Sequence, residues 1–193
     1  MSAFLRVVLF GLAFLFVMVN AHEIGHTVLA RLLGDDSAHY ALYQAQGRSA
    51  CMGCNLYDSS RLGDVANVLV NFGGVIFTQL ICWIAILLLA GGERAVVKRW
   101  MLLSAIAITW LGDVILQLVQ GLQADIPAAL PRGPESTYTD YQAIVWFIRN
   151  QTGAAVSDLK AILLLATLGY SGLLFVATRW ALDRGRGRGR AKL

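Results

Sequence analysis

Residues 3–33 read AFLRVVLFGLAFLFVMVNAHEIGHTVLARLL. From about Ala3 to Ala21 the only charge is Arg6, and no proline interrupts the run. A helix that crosses a membrane needs ~20 mostly apolar residues. Lipid offers no partner to backbone N–H and C=O groups, so such a stretch must close its hydrogen bonds within itself. After Ala21 apolar character resumes and carries on to Leu33. Three further apolar stretches follow, at about 65–90, 100–122 and 161–182, all without proline.

Composition excludes the other classes. Hydrophobic residues make up 57% and charged residues 15% of the 193, against ~45–50% and ~25% in soluble domains. Mean hydropathy is +0.60. A soluble fold of this length has too little interior for so much apolar surface, and a disordered chain has far less of it. Three cysteines are too few for a disulfide scaffold. The predicted fold is an all-α integral membrane protein with about four transmembrane helices and a short extended hairpin or loop after the first. It forms one membrane-embedded domain over 1–183, followed by a disordered basic tail at 184–193.

Two long loops separate the helices. The first, about 34–64, contains Cys51-Met-Gly-Cys54, and its stretch 40–58 alternates weakly, as a hairpin would. The second, about 123–160, holds Pro127, Pro131 and Pro134. It also holds an amphipathic run, 141–149, that reads as an interfacial helix capped by Thr139 or Asp140.

Of the sixteen Lys and Arg residues, ten fall at Arg6, in the short 91–99 loop and from Arg179 to Lys192. Short basic segments stay on the cytoplasmic side, which predicts both termini there, in a bacterial-type inner membrane. The basic tail then reads as an anchor at anionic lipid. No nucleic-acid module accompanies it. A second reading takes Arg6, the apolar core and Val19-Asn20-Ala21 as a cleavable secretory signal. Cleavage there would leave the most informative motif as a free end.

That motif is His22-Glu23-Ile24-Gly25-His26. The chain has three histidines, and two of them bracket a glutamate here. On a helix, positions i and i+4 share a face, so His22 and His26 can bind one Zn²⁺ while Glu23 takes a proton from a metal-bound water. The plainer reading is a pair of core histidines beside a glutamate. At membrane depth, ionisable groups are costly and mark function by default.

An H-E-x-G-H motif in the first of several membrane helices resembles the site-2-protease-like intramembrane zinc metalloproteases. The stretch from Asn71 through Gly73 and Gly74 to Gln79 is similar to the small-residue, polar-ended stretch of that family's second core helix. The resemblance implies a zinc-dependent endopeptidase that cuts membrane protein or peptide substrates. Glu23 would be the catalytic base, and Asn71, Gly73, Gly74 and Gln79 would bind substrate. Helix packing is the plainer role for Gly73 and Gly74. The family's Asn-Pro-rich stretch ending in Asp-Gly is not present in its usual form. The third zinc ligand is therefore open between Asp113, inside the third apolar stretch at the height of His22, and Asp140, after the Pro-rich loop. Asp125 is a weaker candidate. Gln117 and Gln120 read as orienting groups or as interhelical contacts. The family's site usually lies towards the cytoplasm, which conflicts with the orientation the cations predict.

If loop one lies outside the cytoplasm, Cys51 and Cys54 read as a local disulfide. Free thiols, or a metal site with His39, are the alternatives. Cys82 reads as a small buried apolar residue. A hairpin edge beside the motif would suit an extended peptide added as a strand. From another class of function comes a non-proteolytic membrane protein that keeps the zinc site for structure, sensing or transport. A plain membrane scaffold would have no zinc at all.

Overall fold

The computed structural model describes residues 2–46, 49–92, 95–126 and 139–190. Helix α1 spans Ala3–Leu32. It is followed by strands β1 (His39–Gln46) and β2 (Ser49–Leu56), a short turn of 3-10 helix at Ser59–Arg61, and α2 (Asp64–Ala90). The third long helix is composite: α3 (Val96–Thr109), a π turn (Trp110–Ile115) and α4 (Leu116–Gln123). Helix α5 (Asp140–Thr152) and helix α6 (Val156–Arg190) complete the chain. Pro127, Pro131 and Pro134 lie outside the described residues.

Among the described residues, four helices are long and apolar enough to cross a membrane: Ala3–Leu32, Asp64–Ala90, Val96–Gln123 and Val156–Gly185. At 1.5 Å per residue each exceeds the ~30 Å hydrocarbon core. The first expected span therefore continues through the histidine motif. The last starts earlier than its hydropathy suggested and remains helical to Arg190, where composition predicted a disordered tail. Extending an existing helix costs far less than starting one, and no proline stops this one.

Helix α2 is the most enclosed. Its C-terminal half packs Cys82, Ala85, Ile86, Leu89 and Ala90 against Ala105 and Ile106 of α3 and Leu174 and Ala181 of α6. Its other half sets Val68 against Leu118 of α4 and Tyr141 and Ile144 of α5. Helices α1 and α6 turn most of their side chains outward, Phe4 and Phe175 among them, the arrangement a surrounding lipid requires.

Glycines set the closest helix contacts. A Cβ on Gly25 would strike the Gly73 carbonyl, so α1 and α2 cross backbone to backbone. A Cβ on Gly121 would lie 2.7 Å from Tyr141 Cβ, so α5 seats directly on α4.

The expected hairpin is present, antiparallel, with His39 opposite Leu56 and Tyr43 opposite Met52. Gly34, at φ 114°, ends the preceding helical turn. The fully buried Asp35 carboxylate ties the two ends of the hairpin together. It accepts from the Ser37 hydroxyl and amide and, at 2.6 Å, from the Asp58 amide. Arg31 Nε adds a 2.6 Å bond to the Ala38 carbonyl.

Helix α5 is capped as a box. Thr139 Oγ1 accepts from the Gln142 amide, and the Gln142 side chain accepts from the Thr139 amide. Because Thr139 is the cap, the Asp140 carboxylate beside it is free to point elsewhere. At the other end of the loop, Lys160 Nζ donates to the Leu122 and Ala124 carbonyls at 2.7 and 2.8 Å, closing the end of α4 with a cation.

Candidate metal centre

His22 and His26 lie one turn apart on α1, about 15 Å along the helix from its hairpin end for His22. Their rings stand edge to face at 80°, with centroids 4.6 Å apart. The Asp140 carboxylate reaches across both. Its Oδ2 is 3.1 Å from His22 Nε2 and its Oδ1 3.6 Å from His26 Nε2. Ligand atoms from these three residues all lie within 4.8 Å of one another.

Zinc bonds of ~2.0–2.1 Å in a tetrahedron separate ligand atoms by about 3.3 Å. The two imidazole-to-carboxylate spacings bracket that value. The donor set, two imidazole nitrogens and a carboxylate, is one zinc accepts. Gly74 supplies the room: a Cβ there would fall 2.5 Å from His22 Nε2 and 2.6 Å from His26 Nε2. The far nitrogen of each ring is already engaged. His26 Nδ1 is 2.7 Å from the Val70 carbonyl, and His22 Nδ1 is 2.9 Å from Asp113 Oδ1. Neither of those acceptors can donate to the ring. Each Nδ1 then carries a hydrogen, and Nε2 of both rings is the nitrogen turned to Asp140. Gln117 Nε2 donates to Asp140 Oδ2 at 3.1 Å.

Glu23 is held from the hairpin side, where the Asn55 backbone amide bonds its carboxylate. The Thr27 hydroxyl lies 3.1 Å from both the Glu23 carbonyl and Asn55 Oδ1. Strand β2 comes this close because Gly53 has no side chain. A Cβ there would stand 3.2 Å from Asn20 Oδ1 and 3.7 Å from Glu23 Cγ, and its φ of 71° suits glycine. Tyr40 of β1 donates to the Asn20 side chain. A cavity of about 740 Å³ opens beside these groups. Glu23, both imidazoles and Asp140 line it, with His39, Asn55, Leu56 and Tyr57 on the hairpin wall and Gln117 and Gln120 on the α4 wall.

The two aspartates left open by the sequence take different places. Asp140 joins the two imidazoles at Nε2, whereas Asp113 meets the back of His22. Asp125 is exposed, and its carbonyl accepts from Gln142. The four residues expected to meet substrate divide as well. Asn71 lines the cavity, its amide donating to the Asn67 carbonyl, and Gly74 faces the imidazoles. Gly73 is consumed in the crossing of α1 and α2. Gln79 lies a turn deeper, accepting from Tyr170 of α6 at 2.9 Å.

Cys51 and Cys54 are joined as a disulfide within β2. His39 turns its Nδ1 to the Ser37 carbonyl. Cys82 is buried where α2 packs against α3 and α6. Sequence reading missed Thr78, whose hydroxyl donates to Asp113 Oδ2, and the Val70 carbonyl. No pattern of residue types could have signalled a main-chain acceptor. Comparison with protein-family models, curated proteins and solved structures finds no match to this chain.

Proposed function

We propose that this protein is a zinc-dependent endopeptidase of the membrane, of the site-2-protease-like kind. It would hydrolyse peptide bonds of membrane-associated polypeptides. The observation that carries the reading is the convergence of His22 Nε2, His26 Nε2 and the Asp140 carboxylate beside Glu23, at the wall of a cavity. A buried pair of core histidines would need no such convergence, no room left at Gly74 and no neighbouring glutamate.

Zinc held there would supply Lewis acidity and bring the pKa of a water at its open position towards ~7. The chain's own groups supply the rest. Glu23 accepts the proton of the attacking water as its oxygen bonds the scissile carbonyl carbon. It then returns that proton to the amine as the C–N bond breaks. The Asn55 amide fixes the carboxylate that does this. A peptide substrate would lie against the hairpin wall of the cavity, at Leu56 and Tyr57. A helical substrate must unwind first, because its peptide groups are already paired. We also place both termini on the cytoplasmic face, following the ten clustered cations. The cavity, on the hairpin side, then lies towards the other face.

The test is Glu23→Gln in the detergent-purified full chain, against a panel of single-span peptides with glycine or proline near the membrane boundary. Wild type should cleave at least one. The variant should bind as much zinc as wild type and lose ~10²–10⁴-fold in rate. If zinc is bound and cleavage is unaffected by the substitution, the proposed role of Glu23 is wrong. If zinc is bound and neither protein cleaves any peptide, the site serves sensing, transport or structure instead.

A further inference from the structure

The third span leaves α geometry at one place. Residues Trp110–Ile115 form a π turn, and inside it Asp113 is 3% exposed. π turns are rare and recur at functional sites. No proline accounts for this one. Before the turn, α3 buries Ala105, Ile106 and Thr109. A straight α-helix would carry that stripe through about 112–113, 116 and 120. After the turn the stripe runs through Asp113, Val114, Leu118 and Gly121, a slip of one to two residues. Leu118 and Gly121 can then pack on α5 while Asp113 and Gln117, four residues apart, address the metal centre.

Both oxygens of Asp113 are committed. Oδ1 is 2.9 Å from His22 Nδ1, and Oδ2 accepts from Thr78 of α2. One turn further, Gln117 Nε2 holds Asp140 Oδ2. One helical face thus supplies a partner for two of the three candidate ligands. A carboxylate within a membrane span is costly unless it is paired, so its placement behind an imidazole calls for a reason.

We infer that Asp113 is a positioning residue of the metal centre, held in place by the π turn and by Thr78, and that it sets metal affinity by orienting His22 and strengthening its Nε2 as a donor. The inference rests on the metal reading above. Asp113 touches neither metal nor substrate in this account. Its negative charge behind Nδ1–H makes the opposite nitrogen more basic, and partners of this kind typically change affinity 10- to 100-fold. Gln117 does the corresponding work for Asp140 by fixing which oxygen faces His22.

The test is cobalt binding to the purified full chain, read by the visible d–d bands and by competition with a chelator. Wild type, Asp113→Asn, Thr78→Val and His22→Ala are compared. Asp113→Asn should still bind about one cobalt, with changed band positions and an affinity ~10–100-fold lower. Thr78→Val, which removes the donor to Oδ2 along with the hydroxyl's local contacts to the Gly74 and Val75 carbonyls of its own helix, should fall between it and wild type. His22→Ala should lose the tetrahedral bands. Wild-type affinity and bands in Asp113→Asn would overturn the inference. So would complete loss of cobalt matching His22→Ala in a variant whose circular dichroism is native, because Asp113 would then be a ligand itself. Should Asp113→Asn fail to fold, Thr78→Val decides alone, and unchanged affinity there overturns the inference. Failure of wild type to bind cobalt refutes the metal reading and, with it, this inference.

Discussion

Gly74→Ala separates the site from the fold. The added methyl would stand 2.5 Å from His22 Nε2 and 2.6 Å from His26 Nε2, where ordinary contact begins at 3.4 Å. The rings must therefore retreat by about 0.8–0.9 Å, worked from those contacts. Metal bonds tolerate deviations of only about 0.2 Å. Retreat is also resisted from behind, by Asp113 at 2.9 Å and the Val70 carbonyl at 2.7 Å. The helix itself gains, since alanine is favoured over glycine in a helix interior by roughly 1 kcal/mol. The expected outcome is a well-folded protein whose metal affinity drops at least as far as the ~10–100-fold seen when an outer partner is lost. Chelator competition measures the affinity, and thermal unfolding of the metal-free protein in detergent measures the fold. Gly73→Ala is the control. Its methyl meets the Gly25 backbone, which cannot rotate away, so it should lower stability first. Wild-type metal affinity in Gly74→Ala would refute the reasoning, because the imidazole nitrogens could not then converge beside that residue.

Three other outcomes follow from the packing. Gly25→Ala drives a methyl into the Gly73 carbonyl and should cost ~1–3 kcal/mol by overpacking the α1–α2 crossing; unchanged unfolding in detergent would contradict it. Gly121→Ala meets Tyr141 Cβ at 2.7 Å, pushes the start of α5 outward and should weaken metal binding through Asp140, with the histidines undisturbed; equal chelator resistance would show that α5 can shift without moving the carboxylate. Asp35 should give the hairpin an acid limit. Burial pushes its carboxyl up, but the Ser37 hydroxyl, the Asp58 and Ser37 amides and Arg61 outweigh that and hold it below the usual carboxylate range. Its stabilisation is therefore fully present above the unfolded value of ~3.9 and fades as pH falls through the lower folded value. The gap in thermal stability between wild type and Asp35→Asn should be constant from about pH 5 upward and close towards pH 3; a gap independent of pH would remove Asp35 as its source.

The spans were legible because hydropathy over ~20 residues answers to a single requirement, that lipid accepts no unpaired backbone. The hairpin was legible from the alternation of residues 40–58, and α5 from Thr139 and the amphipathic run after it. The choice between Asp113 and Asp140 was not. Rise per residue gives the height of a side chain, and both aspartates are near the height of His22. Which way each points depends on the π turn and on Thr139 taking the cap. The π turn has no local signature, since Trp-Leu-Gly-Asp-Val-Ile contains no helix breaker stronger than one glycine. Neighbouring Gly73 and Gly74 look alike in sequence, and only the direction of α1 assigns one to packing and the other to the site. Gln79 was expected beside the substrate and instead bonds Tyr170, because the partner it faces belongs to α6, some ninety residues later.

The most direct test of the metal centre is the zinc content of the detergent-purified chain after metal is supplied, in wild type, His22→Ala and Asp140→Ala. Wild type should hold about one zinc per chain, and neither variant should retain any after dialysis against a weak chelator. Zinc-free wild type, or an Asp140→Ala protein that holds zinc as wild type does, would contradict the metal reading.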